Sequence, residues 1–131
     1  ALGSSMYGRI DWTGGDTVAC TNERGDRIDL DWEEGPTPMQ VALQVIGACS
    51  TADVVLGLKD RSFSEVWVEL DATRAETRPK VFTKIHMVYH VRGEVPLKLL
   101  ERLVAKSHEK YCTVSQMFVN VEMTHACEVH Q

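Results

Sequence analysis

Cys49 and Cys112 are the residues whose type and setting could do chemistry. Each lies on or beside an expected helix, on the apolar side, so helix packing can bring the two together. A cysteine attacks as its thiolate, which nearby positive charge and helix N-terminal N–H groups favour. On that ground alone Cys112 ranks first. It immediately precedes the expected cap Thr113, with His108 and Lys110 close by in sequence. Cys49 follows Pro38 by eleven positions, beyond the field of the helix start, and Asp53 one turn on opposes a thiolate if it points the same way. The competing reading makes Cys49 a small core residue that, with Gly47, lets another helix approach. Cys20 and Cys127 fall in expected strands without helpers and read as structural.

Metal chemistry has weaker support. His108 and Cys112 are four apart on a helix, His86 and His90 are four apart on one side of a strand, and His125, Cys127 and His130 lie near the C-terminal end. Structural zinc sites show tight Cys-x-x-Cys pairs, and none is present. The strand histidines therefore read as solvated, and no metal is expected. There is no phosphate loop, Gly-x-Ser-x-Gly elbow or His-Glu-x-x-His motif. Gly14-Gly15 is explained by a hairpin turn.

The elements that must position the thiols centre on Thr37–Arg61. Thr37, Pro38 and Gln40 form a capping box with proline in the first turn. From Met39 to Val55 the only charged residue is Asp53, so this helix is apolar on most of its circumference and must be covered on nearly all sides. Gln40, Gln44, Gly47 and Thr51 make a thin polar or small stripe; Cys49 lies off it, beside Val45, Ala52 and Leu56. Three short strands precede the helix, at Met6–Trp12, Thr17–Thr21 and Arg27–Glu33, the last alternating cleanly. Glu65–Asp71 and Val81–Val91 alternate again, with Ala72–Lys80 as the loop between them. A second helix starts at Gly93–Pro96 and runs to about Tyr111 on the row Leu97, Leu100, Val104, His108 and Tyr111. A short helical turn opens at Thr113, and Val119–Val129 closes the chain as a strand. The fold class is α+β, in the order β-β-β-α-β-β-α-(short α)-β with a central buried helix.

At 131 residues the chain is long enough for one domain with a real core, expected over residues 1–131, with Ala1–Ser5 read as an expression remnant ahead of Met6. A net charge of −5 without a basic cluster argues against a nucleic-acid partner. The apolar run of the central helix is too short and too interrupted by polar residues for a convincing membrane span, for which about 20 apolar residues are expected, so no membrane partner is expected. No N-terminal segment has the apolar core of a signal peptide and the cysteines are sparse, which points to the cytoplasm. A chain this short has trouble hiding such a helix alone, and a homodimer is the natural cover.

Four segments carry a resemblance: Gly35-Pro36-Thr37-Pro38-Met39, the run Gly47–Val55, Pro79-Lys80-Val81-Phe82-Thr83, and Glu109-Lys110-Tyr111-Cys112-Thr113-Val114-Ser115. Together they resemble the OsmC/Ohr family, and within it the YhfA-like subgroup. The resemblance implies an intertwined α/β homodimer with sites at the subunit interface, and thiol-dependent reduction of organic hydroperoxides. It implies that Cys49 is the peroxidatic thiol and Cys112 the resolving one, reversing the electrostatic ranking. It further implies an external dithiol reductant, a lipoyl group among the candidates, and no metal or organic cofactor.

The chain departs from that family's pattern at two positions. Met39 stands where the characterised members have a glutamate, and Asp16 where, on a looser alignment, they have an arginine. Losing these groups should slow turnover or change the substrate, unless Arg9, Arg24 or Arg27 substitutes. Two readings therefore stand: a cysteine-based hydroperoxide reductase, or a non-catalytic dimer of the same fold that binds a small apolar ligand or senses redox state.

Overall fold

The computed structural model describes residues 3–131, so Ala1 and Leu2 of the expected remnant lie outside the described residues. The chain forms two compact units, one ending at Ala42 and the other spanning Leu43–Gln131.

The first unit is an antiparallel sheet of β1 (Gly8–Gly14), β2 (Thr17–Asn22) and β3 (Arg27–Asp31) in sequential order. Its register aligns Ile10 with Cys20 and Ile28, and Trp12 with Val18 and Leu30, which makes one face apolar. The other face carries the pairs Arg9–Asp11 and Arg27–Asp29 at 3.0 and 2.8 Å. β3 ends two residues before the alternation predicts. The Asp31 carboxylate accepts the N–H groups of Glu33 and Glu34, both at 2.9 Å, and curls the chain into a turn.

Helix α1 (Pro38–Gly57) opens on the expected capping box. Gln40 N–H donates to Thr37 Oγ1 at 3.2 Å, and Thr37 N–H donates to Gln40 Oε1 at 2.9 Å. By length and composition alone α1 could cross a membrane. In the fold it is not buried all round. Ile46, Gly47, Ser50 and Val54 are buried, followed by Leu58, while Val45, Val55 and Leu56 remain exposed. Gly47 thus belongs to the packed side, not to a polar stripe. A Cβ there would sit 2.9 Å from Leu70 Cδ1, so what approaches is a strand side chain and not a second helix. The helix approach falls at Gly57, where Leu103 would meet a Cβ at 2.5 Å.

In the second unit β4 (Ser62–Arg74) and β5 (Phe82–Glu94) form a long antiparallel hairpin, and β6 (Glu122–His130) pairs with β5 in parallel. Both hairpin strands run longer than the alternation predicts, and the loop shrinks to 75–81; Arg74 Nε bonding Lys80 O at 2.9 Å braces its ends. β5 extends through Gly93, so the second helix, α2 (Leu97–Lys106), starts later than predicted. A parallel pair needs a crossover, and this one is α2, a single π turn over Ser107–Tyr111, and the short α3 (Thr113–Gln116). The inward row of β5, Ile85, Met87, Tyr89 and Val91, is fully buried together with Ile46, Val54, Leu58, Leu100 and Val104. That is the core of this unit.

Candidate functional site

Cys112 sits at the joint between the π turn and α3, fully buried. It is itself the N-cap of α3, one residue before the predicted Thr113. Its Sγ accepts the Ser115 N–H at 3.4 Å and the Ser115 hydroxyl at 3.1 Å, and lies 4.0 Å from the Ile46 carbonyl of α1. These donors favour the thiolate, as the sequence suggested. Burial outweighs them and pushes the thiol up from its ordinary value, and the adjacent Cys49 thiol pushes it further in the same direction. The electrostatic advantage read from the sequence is therefore overturned: a cap helps a thiolate only where the sulfur keeps solvent.

Cys49 is half-buried on α1, between the packed row containing Ile46 and Ser50 and the exposed row containing Val45. The two thiols that the sequence singled out are thus neighbours, and both are free. Asp53 does not compete for that space. Its carboxylate accepts the buried Ser107 hydroxyl at 2.6 Å and ties α1 to the π turn. Cys20 and Cys127 are also free and half-buried, and burial, with Glu101 nearby, pushes the Cys127 thiol up to about 11. Arg9 and Arg27 are engaged by Asp11 and Asp29 on their own strands.

From Cys112 a line of polar side chains runs into the core. Ser115 Oγ lies 3.1 Å from His108 Nδ1, His108 Nε2 is hydrogen-bonded to the Tyr89 hydroxyl, and that hydroxyl is 2.6 Å from Ser50 Oγ. Ser50 in turn donates to the Gly47 carbonyl at 3.2 Å. Each member is held by a different element. Ser50 is on α1, Tyr89 is on the inward row of β5, His108 is on the π turn and Ser115 is in α3. The wider π turn interrupts the helical spacing that would have continued to Tyr111. His108 is drawn toward Tyr89 while Tyr111 stays exposed.

Burial, and secondarily the stacked His125 ring, lower His108 to about pH 4, against a smaller opposite pull from Asp53. Burial drives the Tyr89 phenol the other way, well above its ordinary range. At neutral pH both are uncharged, so the line is a neutral chain of groups that can each give and take one proton. Ser50 and Ser115 lie in two of the segments that carry the family resemblance, but neither they nor Tyr89 is given a role by the sequence.

A cavity of about 440 Å³ opens against this line. His108, Ser115 and His125 form its polar side, with Phe118, Val121 and Met123 on the apolar side. A larger hollow of about 720 Å³ among Arg74, Arg78, Pro79 and Lys80 belongs to the hairpin loop and holds none of these groups.

Known proteins share this architecture. Residues 31–126 match the family model described as OsmC-like protein. Protein YhfA of Escherichia coli K12 is 34% identical, over 95% of this chain and 98% of its own length. A hypothetical protein from Aquifex aeolicus superposes with a TM-score of 0.84 at 28% identity, over 98% of this chain and 99% of its own. The organic hydroperoxide resistance protein OhrB of Bacillus subtilis shares the fold, with a TM-score of 0.64 at 17% identity over 95% of this chain and 98% of its own. The chain belongs to the OsmC-like protein family.

Proposed function

We propose that this OsmC-like protein reduces organic hydroperoxides through Cys49 and Cys112. The observation that carries the reading is the half-buried Cys49 thiol beside a buried, protonated Cys112 that is wired to His108 through Ser115. The Cys49 thiolate attacks the O–O bond; with one proton taken up, the peroxide leaves as an alcohol and Cys49 becomes a sulfenic acid. The Cys112 sulfur then attacks the Cys49 sulfur. Its proton passes by way of Ser115 to neutral His108 and from there to the departing hydroxide, which leaves as water, and a disulfide forms. An external dithiol reduces that disulfide by exchange and is itself oxidised.

The reading includes a homodimer in which the whole chain acts as one domain. Val45, Val55 and Leu56 of α1 are exposed, and in the first unit Ile10, Trp12 and Ile28 are 63%, 70% and 56% exposed. Apolar faces of that size call for a partner. Four free thiols suit a reducing compartment, in keeping with the cytoplasm.

The test is consumption of cumene hydroperoxide with dihydrolipoamide as reductant, comparing the native protein with Cys49→Ser, and sedimentation at low micromolar concentration. Turnover that disappears in Cys49→Ser, from a particle of twice the chain mass, is the expected result. Equal consumption by both proteins would remove the mechanism. The cavity's apolar wall favours the second reading, a ligand-binding or redox-sensing dimer. A Cys49–Cys112 disulfide that forms with peroxide yet supports no turnover would select it.

A further inference from the structure

The outward face of the β4–β5–β6 sheet carries a second cluster that shares no side chain with the thiol site. His90 follows Tyr89 on β5 and therefore points the opposite way. Although it lies on the face the sequence marked as polar, His90 is only 7% exposed. Its register partner on β6 is Glu128, and His130 follows two residues later on the same face. His90 Nδ1 lies 2.9 Å from His130 Nε2 and 3.2 Å from Glu128 Oε2, and the last two atoms are 3.8 Å apart.

We propose that His90, Glu128 and His130 bind a divalent transition-metal ion of the Zn²⁺ class. Two imidazole nitrogens and one carboxylate oxygen suit a borderline-soft cation and leave a fourth position open to water. A tetrahedral ion with metal–ligand bonds of about 2.0–2.1 Å places its donor atoms about 3.3 Å apart. The three separations above straddle that value, so the triangle accepts the ion with small side-chain adjustments.

The surroundings are those of a built site. Trp67, the register partner of His90 on β4, stacks on both imidazoles, with ring centroids at 4.7 and 5.2 Å. The two imidazole centroids are themselves only 5.2 Å apart with planes 20° from parallel, so the three rings form one packed group. Behind His90, Glu69 Oε1 stands 2.7 Å from Nε2 but off the N–H axis, so this buried nitrogen makes no regular hydrogen bond. A small rotation of the exposed Glu69 side chain completes that bond. It fixes the proton on Nε2 and frees the Nδ1 lone pair for a metal, the support that metal-binding histidines usually have. The neighbouring Arg92 is already neutralised by Glu65.

The experiment is titration of the full chain with Zn²⁺, followed by calorimetry and by the fluorescence change of Trp67, with Co²⁺ as a spectroscopic probe. One ion per chain is expected, with a rise in unfolding temperature and a tetrahedral Co²⁺ spectrum that lacks thiolate charge transfer. Glu69→Gln should weaken binding about tenfold or more, and His130→Ala or Glu128→Gln should weaken it further. His130→Ala is the decisive variant if His90→Ala fails to fold, because His130 lies at the end of the last strand. His86→Ala should leave binding intact. Non-saturating uptake, a thiolate band in the Co²⁺ spectrum, or undiminished affinity in His130→Ala would overturn the proposal.

Discussion

Tyr89 and His90 are adjacent on one strand, yet they serve opposite faces of one sheet. On the inner face a hydroxyl and an imidazole are enclosed by helices and linked through Ser50, His108 and Ser115 to a buried thiol. On the outer face an imidazole is roofed by Trp67 and ringed by the carboxylates Glu69 and Glu128. Both faces hold histidine chemistry withdrawn from bulk solvent, half-buried at His108 and buried at His90. The difference lies in what surrounds it. Neutral hydroxyls at short range favour passing a proton; fixed negative charge and paired nitrogens favour holding a cation. Strand alternation alone separates the two by one residue.

The comparison breaks most sharply at the thiols. Cys49→Ser should reduce hydroperoxide turnover by at least about a hundredfold, whereas Cys112→Ser should allow a single turnover and then leave Cys49 trapped as sulfenic acid. Mass spectrometry of the protein after one equivalent of peroxide distinguishes the two. If Cys112→Ser turns over as fast as the native protein, the inner line has no role in resolving the sulfenic acid.

A smaller effect separates the faces by stability. Tyr89→Phe leaves Ser50 and His108 Nε2 without their buried partner and should cost about 1–3 kcal/mol in urea unfolding. The half-buried outer bond between His86 Nδ1 and Thr124 Oγ1, at 2.6 Å, offers the contrast. Thr124→Val should cost about 0.5–1.5 kcal/mol, because water can replace part of what is lost. Equal costs would show that enclosure does not distinguish the two faces.

The inner histidine also imposes a pH dependence. His108 titrates at about 4 in the fold against an ordinary value of 6.5. Between those values the unfolded chain binds more protons, so stability rises with pH through that window. Its contribution is complete above about pH 6.5 and is lost as pH falls toward 4. After allowance for partial solvent exposure this amounts to about 1–2 kcal/mol. Urea midpoints of the native protein and His108→Gln at pH 5 and 7 check it; an unchanged pH slope in the variant would assign the dependence to other groups. The smallest effect belongs to the outer roof. Trp67→Phe, which keeps a smaller ring in the stack, should cost about 1 kcal/mol or less, measured as a shift in unfolding midpoint.

Local pattern was enough to read much of this protein from its sequence. The Thr37–Gln40 box, the apolar helix after it and the alternation of β4 and β5 all depend on spacings of two to four residues. Contacts over longer spans decided the rest. Pairing β6 in parallel with β5 brought His130 to His90 across forty positions of sequence, and no local signal specifies that register. The same crossover inserted a π turn that sent His108 to Tyr89 instead of continuing the helical row. Burial, a property of the whole fold, raised the Cys112 thiol: the sequence shows the donors that stabilise its thiolate, and only the tertiary structure shows that the sulfur is buried away from solvent, the stronger stabiliser.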